Sequence, residues 1–194
     1  MTMIAKSRFL VAGGLLVAVF CSAAFAADGK KKSRQKASRT VRVYVGTYTS
    51  GKSKGIYQFT FDTKKGTAGK VSLAAATPSP SFVALHPTGK VLYAVNETAM
   101  WEGKKNSGGI SSFAIDPDSG KLELMNQQPT RGAHPCHLVV DGSGRNVLVA
   151  NYTGGSVIGL PLDQDGCLGE ATAFRQHEGS SLLKPRQAAP HAHS

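Results

Sequence analysis

Beyond Arg42 the chain alternates short apolar runs with turn chemistry. Phe82 to Leu85, Leu92 to Asn96, Ile110 to Ile115 and Leu122 to Leu124 are apolar or alternating runs of three to six residues, the length of strands rather than helices. Pro87-Thr88-Gly89, Gly108-Gly109 and Asp116-Pro117-Asp118-Ser119-Gly120 separate them, and each supplies residues that turns favour. No stretch after Arg42 carries a 3.6-residue apolar period with caps. The pattern predicts an all-β chain.

The runs also repeat. Pro80 to Asn96 lies over Pro135 to Asn151 at a constant offset of 55 without a gap, bringing Gly89 onto Gly144, Lys90 onto Arg145 and Asn96 onto Asn151. Val43 to Tyr48 lies 49 residues before Leu92 to Glu97, and Gly55 to Asp62 matches Gly109 to Asp116 and then Ser156 to Asp163. A β-sandwich also has many short strands, but it does not repeat one strand sequence three times. Self-similarity near 50 residues is the period of propeller blades. The expected architecture is a β-propeller with about three four-stranded blades over residues 42–194. Pro190 to Ser194 begins a fourth, inside a strand, with His193 in the register of His137 and Phe82. A propeller closes on itself to avoid a long exposed edge, so these blades are expected to be the N-terminal part of a longer ring; completion by other copies is the alternative.

The N-terminus sets the compartment. Lys6 and Arg8 precede an apolar run from Phe9 to Phe20, and Ala24-Phe25-Ala26 follows as a small-x-small cleavage site. This reads as a signal peptide over 1–26, cleaved after Ala26, with export to the periplasm or beyond. The run is too short for the roughly 20 residues of a membrane span. Bulky Phe20 before Cys21 excludes a lipid-modified cysteine, so Cys21 leaves with the peptide. Cys136 and Cys167 remain; an oxidising compartment permits their pairing, and two free thiols are the other reading.

The formal charge of +11 is concentrated at this end. Asp28 to Arg42 holds seven cations and one acid, and once Lys6 and Arg8 are also set aside only three net positive charges remain on the repeats. The basic linker, 27–41, has no aromatic to stack on a base. It reads as a solvated segment rather than a nucleic-acid site.

Val43-Tyr44-Val45-Gly46-Thr47-Tyr48-Thr49 with Gly55-Ile56-Tyr57, then His134-Pro135-Cys136-His137-Leu138, Ala150-Asn151-Tyr152-Thr153-Gly154-Gly155-Ser156-Val157 and Pro190-His191-Ala192-His193-Ser194 resemble, in order, landmarks of the lactonase family of seven-bladed β-propellers. That family includes 6-phosphogluconolactonases and a carboxymuconate-lactonising enzyme. The resemblance spans about residues 41–194 and does not separate hydrolase from cyclase. It implies a small-molecule lactone or carboxylate substrate, no cofactor and no metal. It also implies that later blades add acidic and arginine side chains to a central site.

Inner strands of a propeller line its axis, so corresponding strand ends converge on one mouth. His137 and His193 share a register position there, and His191 lies two residues from His193 on the same strand face. Opening a lactone requires a base for water, a donor or cation for the developing oxyanion, and a grip on the acid's other groups. Imidazoles suit the first role. The expected assignment is His193 as general base or acid with His137 as its catalytic helper, and His191, Arg186, Gln187 and Asn151 as substrate contacts. Three functions stay open: a lactone hydrolase, a cycloisomerase of carboxymuconate type, and a non-catalytic binding propeller. No nucleotide loop, serine elbow or second membrane segment is present in the sequence. The oligomeric state is open.

Overall fold

A computed structural model describes residues 40–182, 184 and 187–194. The expected signal peptide, most of the basic linker and Arg186 lie outside the described residues. Within them the chain forms β1 (Thr40–Val45), β2 (Gly55–Asp62), β3 (Thr67–Ala68) and β4 (Ser72–Ala76), then β5 (Val83–Leu85) and β6 (Val91–Asn96). A small hairpin follows, β7 (Met100–Trp101) and β8 (Lys104–Lys105), then β9 (Gly109–Ile115) and β10 (Leu122–Pro129). The last four are β11 (Pro135–Val140), β12 (Asn146–Asn151), β13 (Ser156–Pro161) and β14 (Ala173–Gln176).

These strands make three antiparallel blades. Blade two has the order β10-β9-β6-β5 and blade three β11-β12-β13-β14. In blade one β1 pairs with β2, while β3 and β4 both pair with β2 on its other side. Register makes β1 the counterpart of β6 and β12, so among the described residues blade one has no strand in the innermost position filled by β5 and β11.

β6 shows why the blades stack. Its sequence, VLYAVN, is buried at every position, the near-continuous apolar run expected of a strand covered on both faces. Leu92 and Ala94 point into a core with Ile56, Ala74, Phe113 and Leu122 from blades one and two. Val91, Tyr93 and Val95 point into a second core with Leu138, Val147, Val149, Ile158 and Leu160 of blade three. Strand alternation thus feeds two cores from one strand. β12 has one covered face only: Val147 and Val149 are buried, whereas Leu148 between them is 53% exposed.

Polar links repeat along with the cores. The Tyr44 hydroxyl donates to the Gly120 carbonyl (2.9 Å), and its register equivalent Tyr93 donates to Gly166 (2.8 Å). Each tyrosine reaches a turn of the next blade. Those turns are built alike: Asp62 Oδ1 accepts from the amides of Lys64 and Lys65, Asp116 from Ser119, and Asp163 from Asp165 and Cys167. Such local bonds are why Asp recurs there.

One expectation is corrected. Pro190 to Ser194 forms no strand, although its backbone runs beside the inner strand of blade three, with the Cys136 thiol 3.7 Å from the Ala192 carbonyl. His86 joins two blades through Nε2 and the Gly144 carbonyl at 2.9 Å. In the β7–β8 hairpin Trp101 is 8% exposed and lies so close over Gly109 that a Cβ there would meet its ring at 2.6 Å.

Candidate functional site

The second strand of each blade ends at the same level, and the residues just beyond it meet. Tyr48, Glu97 and Tyr152 hold one register position in successive blades. With Ser81, Cys136 and His193 they line a cavity of about 380 Å³. Ser81 and Cys136 are themselves register equivalents, immediately before the inner-strand positions 82 and 137. The fold therefore turns a 55-residue repeat into a polar cup by placing equivalent residues around one axis.

Glu97 organises the cup. Its Oε2 accepts from the Tyr48 hydroxyl at 2.9 Å and from the Ser81 hydroxyl. Burial, followed by the adjacent Glu97, raises the pKa of the Tyr48 phenol and of the Cys136 thiol above their ordinary values. Both are protonated near neutrality, so Tyr48 is a hydrogen-bond donor and Cys136 is not poised as a thiolate nucleophile. Cys136 and Cys167 are both free thiols.

His193 reaches this cup and also lines a larger, mainly apolar cavity of about 610 Å³ over blade three, where His137 is found. The His193 imidazole stands edge-on to the Tyr152 ring, centroids 5.8 Å apart. His191 stacks on the same tyrosine at 4.5 Å with ring planes 14° apart, and its Nδ1 lies 3.1 Å from the Tyr152 carbonyl. His191 thus positions Tyr152, which the sequence reading did not anticipate.

His137 and His193 come together on the apolar cavity, but His137 does not line the polar cup. Its ring packs against Phe82, its own register equivalent, at 4.4 Å. The equivalent pair in blade two behaves alike, Ser81 lining the cup and Phe82 not, since neighbouring positions of an extended chain point to opposite sides. Cys136 takes the place in the cup expected for His137.

Two of the expected substrate contacts, Asn151 and Gln187, do not line the cup. Asn151 is fully buried, and its amide donates to the Thr130 carbonyl at 3.0 Å and meets the Ser156 hydroxyl at 3.1 Å. Asn96 is buried in the same way, donating to Thr77 and Pro78 and accepting from Ser111. Both hold the strand end together from inside the blade. Gln187 is occupied by Ser181, through the Ser181 hydroxyl on Oε1 and the Ser181 amide on its carbonyl at 2.9 Å. Arg186 lies outside the described residues. Among the described residues no three of His, Cys, Asp or Glu come together as a metal-binding group.

The family model for "Lactonase, 7-bladed beta-propeller" matches residues 42–194. The chain belongs to this family. Curated relatives include proteins named 6-phosphogluconolactonase from Bacillus subtilis, 38% identical over 77% of this chain, and from Formosa agariphila, 35% identical over 78%. Among solved structures, a periplasmic gluconolactonase from Pseudomonas aeruginosa superimposes with a TM-score of 0.70 at 34% identity over 78% of this chain. The chain spans 41% and 42% of the two curated relatives and 42% of that structure, about two fifths of each.

Membership in the lactonase family accounts for the three-blade register, and the coordinates add the cup. Tyr48, Ser81, Glu97 and Cys136 were not among the expected site residues, because opening a lactone called first for imidazoles and cations, and none of the four is either. The available signal was positional: Tyr48, Glu97 and Tyr152 form one column of the repeat, a short way beyond the ends of β1, β6 and β12.

Proposed function

We propose that the chain carries the N-terminal share of the mouth of an exported hydrolase that opens a sugar-acid lactone. The observation that carries this reading is the imidazole of His193 standing on a polar cup with donors and an acceptor around it. Relatives named 6-phosphogluconolactonase and a neighbour described as a periplasmic gluconolactonase support the substrate class.

In this reading His193 takes a proton from water as the water oxygen adds to the lactone carbonyl. The tetrahedral oxyanion needs a donor or cation, a role for which Arg186, as a guanidinium suited to acid groups, is the candidate. The ring C–O bond then breaks, and the imidazolium returns its proton to the departing alkoxide oxygen. One water is consumed and a hydroxy acid leaves. His137, beside His193 on the apolar cavity, assists by packing, and His191 holds Tyr152. Residues 1–26 direct export, in keeping with the periplasmic neighbour, and favour an unphosphorylated lactone over a cytoplasmic phosphosugar.

The test is turnover by the full-length protein, since this piece can be inactive alone, against glucono-1,5-lactone, its 6-phosphate and carboxymuconate. Lactone opening is the expected result. Turnover of carboxymuconate alone would move the assignment to a cycloisomerase, and ligand binding without turnover of any of the three would make it a binding propeller.

A further inference from the structure

Resting on the lactonase reading, we infer that Glu97 is the residue that reads the hydroxyl groups of the substrate and so sets a preference for neutral polyhydroxy lactones. Both protein donors fall on one oxygen: Tyr48 at 2.9 Å and Ser81 converge on Oε2. Among the described residues Oε1 has no hydrogen-bond donor. A carboxylate is an acceptor at about four lone-pair sites, so an oxygen fixed at the wall of the cup and left open accepts O–H groups from whatever enters.

The neighbours fit that ligand. Tyr48 is 58% and Tyr152 37% exposed, and both line the cup with the acid; His191 covers one face of Tyr152, so Tyr48 offers the more open ring. Aromatic faces present apolar surface to C–H bonds, and their hydroxyls add polar edges. Ser81 and the protonated Tyr48 hold the carboxylate in place, which removes the cost of ordering it when ligand binds. A sugar ring offers O–H donors in its plane and C–H groups above it. A carboxylate or phosphate set against Oε1 would meet like charge, so an ionised group on the substrate must lie elsewhere.

Glu97 is thus a specificity residue acting beside His193, and its role is separable from turnover. The probes are D-glucono-1,5-lactam, which keeps the hydroxyls and is not hydrolysed, and δ-valerolactam, which lacks them. Their affinities are measured by calorimetry on the full chain and on Glu97→Gln, which keeps size and gives up the charge and half the acceptor capacity. A charge-assisted hydrogen bond to a hydroxyl predicts that preference for gluconolactam over valerolactam falls by about tenfold to a hundredfold. A preference unchanged within twofold overturns the inference. If E97Q does not fold, Glu97→Asp withdraws the oxygen by one methylene and is read the same way. Because the probes are not turned over, a full-length protein that binds gluconolactam through Glu97 but opens no lactone defeats the lactonase reading and keeps this one.

Discussion

Tyr93 gives the sharpest test of how the blades are joined. It is completely buried, and its hydroxyl donates to the Gly166 carbonyl of the next blade at 2.8 Å. Tyr93→Phe removes one oxygen, creates almost no cavity and leaves that carbonyl without this donor. An orphaned buried acceptor costs about 1–3 kcal/mol. With a urea slope of about 2 kcal/mol per molar, the unfolding midpoint should fall by about 0.5–1.5 M. Trp101, the single tryptophan, is buried in blade two and reports the transition by fluorescence. The pH dependence has a definite sign. Burial raises the Tyr93 phenol above its ordinary value of 10.0, so above that pH the unfolded chain binds fewer protons than the folded one and stability falls. Y93F should remove that part of the alkaline loss, leaving smaller shares from Tyr44 and Tyr48, whose phenols are also raised. A midpoint within about 0.2 M of the unmodified chain, with the same alkaline slope, would refute the link.

Asn151→Ala should lower stability by about 2–3 kcal/mol, since the Thr130 carbonyl loses its donor, while KM for a lactone measured on folded protein stays within about threefold, a change worth well under 1 kcal/mol. A raised KM at unchanged stability would restore Asn151 as a substrate contact. Gly109→Ala places a Cβ 2.6 Å from three Trp101 ring atoms, so the ring must leave its seat. Overpacking predicts a loss of about 1–3 kcal/mol and a red-shifted tryptophan emission; an unshifted spectrum would show that the seat is not occupied.

The strands that form the blade cores are legible in sequence because burial writes them there. Gly55 to Asp62 was expected as a strand and is one, and β6 announces two-sided burial in an unbroken apolar run. β14 was missed for the opposite reason: Ala173 to Gln176 is exposed throughout, so packing imposes no pattern on it. The hairpin carrying Trp101 interrupts the repeat and has no counterpart to align with. At the site, His193 lines the cup and His137 lines only the apolar cavity, because the position before it, Cys136 like Ser81, is the one turned into the cup. Asn151 looked like a mouth residue because it ends a strand. Its side chain turns inward to bond backbone, a direction that residue type alone does not encode.

The central claim is that His193 performs acid–base chemistry on a lactone at the mouth of the ring. The most direct measurement is kcat/KM of the full-length protein for glucono-1,5-lactone before and after His193→Asn, with near-ultraviolet circular dichroism to show that the fold is kept. Loss of a positioned acid–base predicts a fall of about 10²- to 10⁴-fold. Turnover within about threefold of the unmodified protein, less than 1 kcal/mol of transition-state stabilisation, would contradict it.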